Sequence, residues 1–122
     1  MTRTSLQCRE CKKEYETAFK YVCEDCFGPL DVKYDFPAIT KDTFTNREHT
    51  YWRYFELLPI EEKSNIVSVG AGMTPLIKAD NLGKKLGLNN LYIKNDSVNP
   101  TFSFKDRPAG VAISKAKEFG LT

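Results

Sequence analysis

Five side chains in this sequence have types and settings suited to chemistry: Cys8, Cys11, Cys23, Cys26 and Lys105. The cysteines occur as CREC (8–11) and CEDC (23–26), two C-x2-C units separated by eleven residues. Each unit can turn two thiolates onto one ion, and two such turns complete a tetrahedral four-thiolate site for Zn²⁺. A site ligated by four protein sulfurs has no open position, so its expected role is structural. Disulfides or free thiols are the alternatives. A redox C-x-x-C fits less well, because the two units occur together and neither heads a βαβ pattern. His49 lies far from the cluster in sequence and reads as an ordinary polar residue.

Lys105 stands in VNPTFSFKDRPAG (98–110), after a strand-like run and at the mouth of a helix. A lysine attacks carbonyls only in its neutral form. The positive helix end, neighbouring Arg107 and burial between Phe102 and Phe104 would each disfavour the ammonium, the conditions for a Schiff-base lysine. On the residues alone, a lysine flanked by aromatics is more often a snorkelling surface residue.

The elements that must place these groups follow from periodicity. KKEYETAFKYV has β-branched and aromatic residues near alternate positions, as in a short hairpin. Phe27-Gly28-Pro29 is a turn signal, and LDVKYDF alternates as a returning strand. Residues 1–36 therefore read as a small β zinc ribbon. A segment below about 40 residues rarely builds an adequate core and usually needs a staple. Residues 37–65 read as a linker with a short helix, Tyr51, Tyr54, Phe55 and Leu58 forming its buried face.

From residue 66 to 122 the pattern becomes α/β. Ile66, Val67 and Val69 suggest a strand before the glycine-rich turn VGAGM, which lacks the spacing of a dinucleotide or P-loop motif. A short helix is expected with Asp80 as N-cap, Leu82 and Leu86 as its apolar pair and Gly87 as its stop. LNNLYIKND continues as a strand. A second helix is expected with Ala109, Ala112, Ile113, Ala116 and Phe119 on its apolar face, closed by Gly120. Its start could be capped by Ser103 or by Asp106. The second fits Pro108 better, since proline is tolerated in a first turn and not at the fifth helical position.

Composition narrows the partners. The 122-residue chain is 41% hydrophobic, 28% charged and of net charge +2, as in an ordinary globular protein. Charged residues break every window long enough to span a bilayer, and the N-terminus has no apolar signal core. The expected location is cytoplasmic. Residues 1–36 hold six Lys/Arg and seven Asp/Glu, a net of −1. Four thiolates on one Zn²⁺ would make this about −3, the wrong sign for phosphate backbones, so no nucleic-acid partner is expected.

The C-x2-C pair, WRY, LLP, GMTPL, IKND and NPTFSFKDR occur in one order along the chain. In that order they resemble the threonine synthases that carry an N-terminal zinc ribbon, a group of fold-type II pyridoxal phosphate (PLP) enzymes. The resemblance implies that residues 66–122 begin a tryptophan synthase β-like catalytic domain. It implies that Lys105 is the residue that binds PLP and the catalytic base. The implied reaction converts O-phospho-L-homoserine and water to L-threonine and phosphate, in a homodimer. Ser103 and Asp106 would shape the lysine loop, and Arg107 would pair with Asp106 or a neighbouring segment. Two departures stand out: Phe102 where many relatives have glycine, and Pro108-Ala109 where glycine is frequent.

Since the sequence stops just after the lysine helix, the resemblance also implies an N-terminal fragment, inactive alone. The competing enzyme readings are a cysteate synthase or a threonine dehydratase-like lyase. The competing non-enzyme reading is a zinc-ribbon binding module.

Overall fold

In the computed structural model, residues 3–121 are described, with the side chain of Arg3 left aside; residues 1, 2 and 122, the outermost of the expected segments, lie outside the described residues. The chain is mixed α/β. β1 (Arg3–Cys8) is the centre of a three-stranded antiparallel sheet, flanked by β2 (Glu14–Glu16) and β3 (Leu30–Asp35). The register places Leu6 opposite both Tyr15 and Val32. Leu6 is 7% exposed, and beyond it only Cys8 and Cys23 are buried hydrophobic residues among the described residues of this part of the chain. The sheet thus has almost no conventional core.

α1 (Asp42–Thr45) and two 3₁₀ stretches, Tyr51–Leu57 and Lys63–Asn65, follow. The expected aromatic helix is therefore 3₁₀ and not α, and it kinks at Tyr54. Bulky aromatics lose rotamer freedom in an α-helix, and a seven-residue run supports few α-type bonds before Pro59. Its one-sided burial is also incomplete, because Tyr54 is exposed. Instead the stretch is held by polar ties: Arg47 forks onto Glu56 at 2.6 Å on each side, and Arg53 donates to the Phe44 carbonyl.

β4 (Leu76–Lys78) and β5 (Tyr92–Lys94) pair antiparallel around α2 (Asp80–Leu86). Gly87 ends α2 at φ +69°, as expected of an αL cap. Asp80 is the first helical residue and pairs with Lys78, while Ala79 occupies the cap position. Leu82 and Leu86 are exposed; the buried member of α2 is Gly83, where a Cβ would lie 2.5 Å from the Leu88 carbonyl oxygen.

α3 (Asp106–Glu118) organises this half. It starts one residue after Lys105, so Pro108 falls in the first turn, where no intrahelical N–H is required. Its buried residues are Asp106, Gly110 and Ser114. The expected face differs: Ala109, Ala112 and Ile113 are exposed. The reason is steric. A Cβ at Gly110 would lie 3.2 Å from Val69, so only a small residue admits that segment.

The expected strand at 66–69 does not form among the described residues, because its hydrogen bonding goes elsewhere. Ser114 Oγ accepts the Val67 N–H at 2.9 Å and donates to the Gly110 carbonyl at 2.7 Å. At the far end Glu118 accepts the N–H groups of Glu61 and Glu62, both at 3.0 Å. Ser114 is fully buried, so Ser114→Ala strands the Val67 N–H. We expect that substitution to cost about 1–3 kcal/mol in urea unfolding and to speed amide exchange at Val67.

Candidate metal centre and lysine loop

The two cysteine turns are built alike. Cys8 N–H donates to Lys13 O and Lys12 N–H to Cys8 O; fifteen residues on, Cys23 N–H donates to Gly28 O and Phe27 N–H to Cys23 O. The residue after each second cysteine has positive φ, Lys12 at 65° and Phe27 at 56°. Both turns thus bend back tightly enough to aim two sulfurs at one point. β1 feeds the first turn, and the Val22–Pro29 bridge closes the second.

All four Sγ atoms lie within 4.8 Å of one another, with Cys8–Cys26 at 3.4 Å and Cys11–Cys23 at 3.6 Å. Tetrahedral Zn–S bonds of about 2.3 Å place sulfurs about 3.8 Å apart, so the donor set fits zinc in both type and spacing. Gly28 is needed here, because a Cβ would sit 3.1 Å from Cys8 Sγ.

Tyr15, which the sequence did not single out, hydrogen-bonds Cys23 Sγ through its hydroxyl at 3.0 Å and accepts the Glu24 N–H at 3.1 Å. That hydroxyl, opposed by burial and helped by the backbone N–H groups of the turn, lowers the Cys23 thiol to about 6. The Cys11 thiol is drawn down by a backbone bond at Lys13, but burial and the neighbouring sulfurs outweigh it and push it up to about 12. The cluster therefore carries unequal thiols that a cation would level.

Lys105 lies far along the chain in a separate structure, the turns of residues 99–105 that open α3. Asp106 closes these turns: its carboxylate accepts the Thr101 N–H at 2.8 Å and the Thr101 hydroxyl at 2.5 Å. Ser103 Oγ accepts the Lys105 N–H at 3.2 Å. Both residues shape the loop.

Lys105 itself is exposed, and Phe102 and Phe104 are 81% and 62% exposed, so the expected burial of the lysine between them is absent. The loop turns its buried side, Asp106, toward Thr101 and leaves residues 102, 104 and 105 outside. Nor is Arg107 a free charge beside the amine. It forks onto Asp96, Nε to Oδ2 and Nη2 to Oδ1, both at 2.8 Å. Arg107 first, then the Thr74 hydroxyl at 2.6 Å, holds the Asp96 carboxyl well below the usual carboxylate range.

Phe102 adopts φ +59°, a left-handed conformation that costs a bulky L-residue about 1–2 kcal/mol. Since its ring is largely exposed, little burial offsets that cost. Phe102→Gly is expected to raise the chain's stability by about 1 kcal/mol, read as a higher urea midpoint at unchanged slope. A lower midpoint would show that the ring, despite its exposure, holds the loop.

The glycine-rich turn is used to let segments approach. Gly72, at φ +90°, would place a Cβ 2.9 Å from Tyr51, and its N–H donates to Asn99 Oδ1 at 3.1 Å. Asn99, Thr74 and Asp96 are thus site residues that the sequence reading passed over, although GMTPL, IKND and NPTFSFKDR contain them. His49 joins the same turn at the rim of a cavity of about 160 Å³.

The profile of a family described as pyridoxal-phosphate dependent enzyme matches residues 67–121. The threonine synthase of Methanocaldococcus jannaschii is 42% identical over 120 residues, covering 94% of this chain and 29% of that protein. The threonine synthase of Methanosarcina acetivorans is 41% identical over 119 residues, 95% of this chain and 29% of its own length. That of Halalkalibacterium halodurans is 46% identical over 67 residues, 55% of this chain. No solved structure matches. The chain thus spans 29% of the length of the two archaeal proteins. The cysteine turns and the lysine segment both lie inside the aligned span of those two, so the chain is similar along nearly its whole length to part of two threonine synthases and, over residues 67–121, to the pyridoxal-phosphate dependent enzymes.

Proposed function

We propose that this chain supplies the N-terminal part of a threonine synthase, acting on O-phospho-L-homoserine and water to give L-threonine and phosphate. The observation that carries the reading is the 42% identity to a threonine synthase along 94% of the chain, which takes in Lys105 and its loop. Lys105 Nζ would hold the cofactor and, once released, move protons at the substrate carbons. PLP, when bound, supplies the electron sink for that carbon chemistry. Ser103, Asp106 and Thr101 orient the lysine loop. An exposed amine on a loop closed by hydrogen bonds suits this task, since both cofactor and substrate must reach it.

In the same reading residues 1–36 are a structural zinc ribbon held by Cys8, Cys11, Cys23 and Cys26. Residues 37–65 are the linker and residues 66–122 the start of the catalytic domain. The assembly is a cytoplasmic homodimer with no nucleic-acid or membrane partner. No described helix is long and apolar enough to cross a membrane, and the net charge of −1 on residues 1–36 speaks against phosphate binding.

The test is a chimera in which this chain replaces the matching 120 residues of the Methanocaldococcus jannaschii enzyme. Phosphate release from O-phosphohomoserine with equimolar threonine is the expected result. A folded chimera that binds PLP but forms no threonine would overturn the assignment.

A further inference from the structure

The lysine loop is held at both of its ends by one polar unit that touches three separate stretches of chain. Arg107, two residues past Lys105 on the first turn of α3, makes its two-pronged bond to Asp96. Asp96 also accepts the Thr74 hydroxyl at 2.6 Å, and Arg107 Nη2 reaches the same hydroxyl at 3.1 Å. Before the loop, Asn99 donates through Nδ2 to the Asp96 carbonyl at 3.0 Å and accepts from Gly72 at 3.1 Å. Lys94 donates to the Thr74 carbonyl, and the Asn95 N–H reaches Pro75 O at 2.9 Å. Thr74 and Asn99 are 7% and 2% exposed, while the Asp96 and Arg107 side chains are about one quarter exposed.

Planar two-pronged pairing fixes both the distance and the rotation of a guanidinium, which a lysine in its place could not do. Residues 74 and 94–96 belong to the β4–β5 hairpin and its exits, so the ion pair ties the start of α3 to a sheet. Lys105, by contrast, is held only through its backbone and has no enclosing side chains of its own among the described contacts. Its direction is set by what fixes the helix start.

We propose that Thr74, Asp96 and Arg107 are positioning residues for Lys105, locking the helix mouth so that the amine presents itself to an aldehyde in one orientation. The proposal rests on the reading of Lys105 as the cofactor-holding amine and adds the residues that make it effective.

The test uses the chimera with the Methanocaldococcus jannaschii enzyme, incubated with pyridoxal phosphate, reduced with borohydride and mapped by peptide mass. Labelling of Lys105 is compared with that of Lys85, an exposed helical lysine. Wild type labels Lys105 in preference. Asp96→Asn and Thr74→Val each lower that preference several-fold and speed amide exchange at residues 101–107, whereas Asp96→Glu, which keeps the charge, restores part of it. A loss confined to urea stability, with the preference unchanged in both variants under folding conditions, overturns the proposal and leaves the Lys105 reading intact. No preference for Lys105 in the wild type overturns both. Should Asp96→Asn not fold, Thr74→Val decides, since it removes one hydroxyl and keeps the ion pair.

Discussion

Removing zinc from the proposed four-cysteine site, or replacing Cys23 with Ser, is expected to unfold the sheet of β1, β2 and β3 while α3 stays helical. The expectation comes from comparing what else could hold that sheet. Leu6 is its one buried aliphatic side chain, and full burial of a leucine contributes about 2 kcal/mol. The ion pairs Arg9–Asp31 and Lys13–Asp25 are surface pairs whose side chains are 43% exposed or more, and such pairs add little. A four-thiolate zinc site contributes about 10–16 kcal/mol near neutral pH, so an ion held by these sulfurs would dominate any sum of the rest. The four sulfurs are already gathered within 4.8 Å, an arrangement that thiolates without a cation would oppose. Metal analysis should return about one zinc per chain, lost on Cys23→Ser, with amide protection in residues 3–8 and 30–35 lost in step. Retention of that protection in the metal-free chain would make the sulfurs passengers of the fold.

Why the cysteine turns could be read from sequence, and the packing of α3 could not, has a physical explanation. Each C-x2-C turn is local: four residues, a tight reversal and two sulfurs on one side. Lys105 at the helix rim was legible for the same reason, since Asn99-Pro100 and Pro108 restrict where a helix can begin. The faces of α3 depend on distant partners. Periodicity marked Ala109, Ala112 and Ile113 as inward, yet the side that packs carries Gly110 and Ser114, because Val67 and Val69 come close enough to exclude larger residues. The same long-range bond removed the strand expected at 66–69. Arg107 illustrates the limit most plainly. Its charge was visible in the sequence, but its neutralisation by Asp96, eleven residues earlier, appears only in three dimensions. Phe102 shows the converse: the resemblance marked it as standing where glycine is usual, and its φ of +59° supplies the reason.

Lys105→Ala in the chimera with the Methanocaldococcus jannaschii enzyme should abolish the borohydride-stable pyridoxyl label at position 105 and lower kcat by at least about 10²–10⁴-fold. That range is what loss of a single positioned proton-transfer group costs, before any loss of cofactor is counted. Lys105→Arg should fare no better, although it keeps length and charge, because a guanidinium has no neutral form at working pH and cannot attack an aldehyde. The pair of variants therefore separates nucleophile from cation. If the amine served only to attract phosphate groups electrostatically, arginine would restore activity and alanine would not. Lys85→Ala, on the exposed side of α2, provides the control and should leave both label and turnover unchanged. The loop should survive either substitution at 105, because its closure depends on the Asp106–Thr101 bonds and the Arg107–Asp96 pair and not on the lysine side chain. Far-UV circular dichroism and the urea midpoint should accordingly match wild type within error. An alanine variant that keeps turnover within tenfold, or carries its label on another lysine, would move the chemistry away from this loop and with it the whole assignment of the chain's second half.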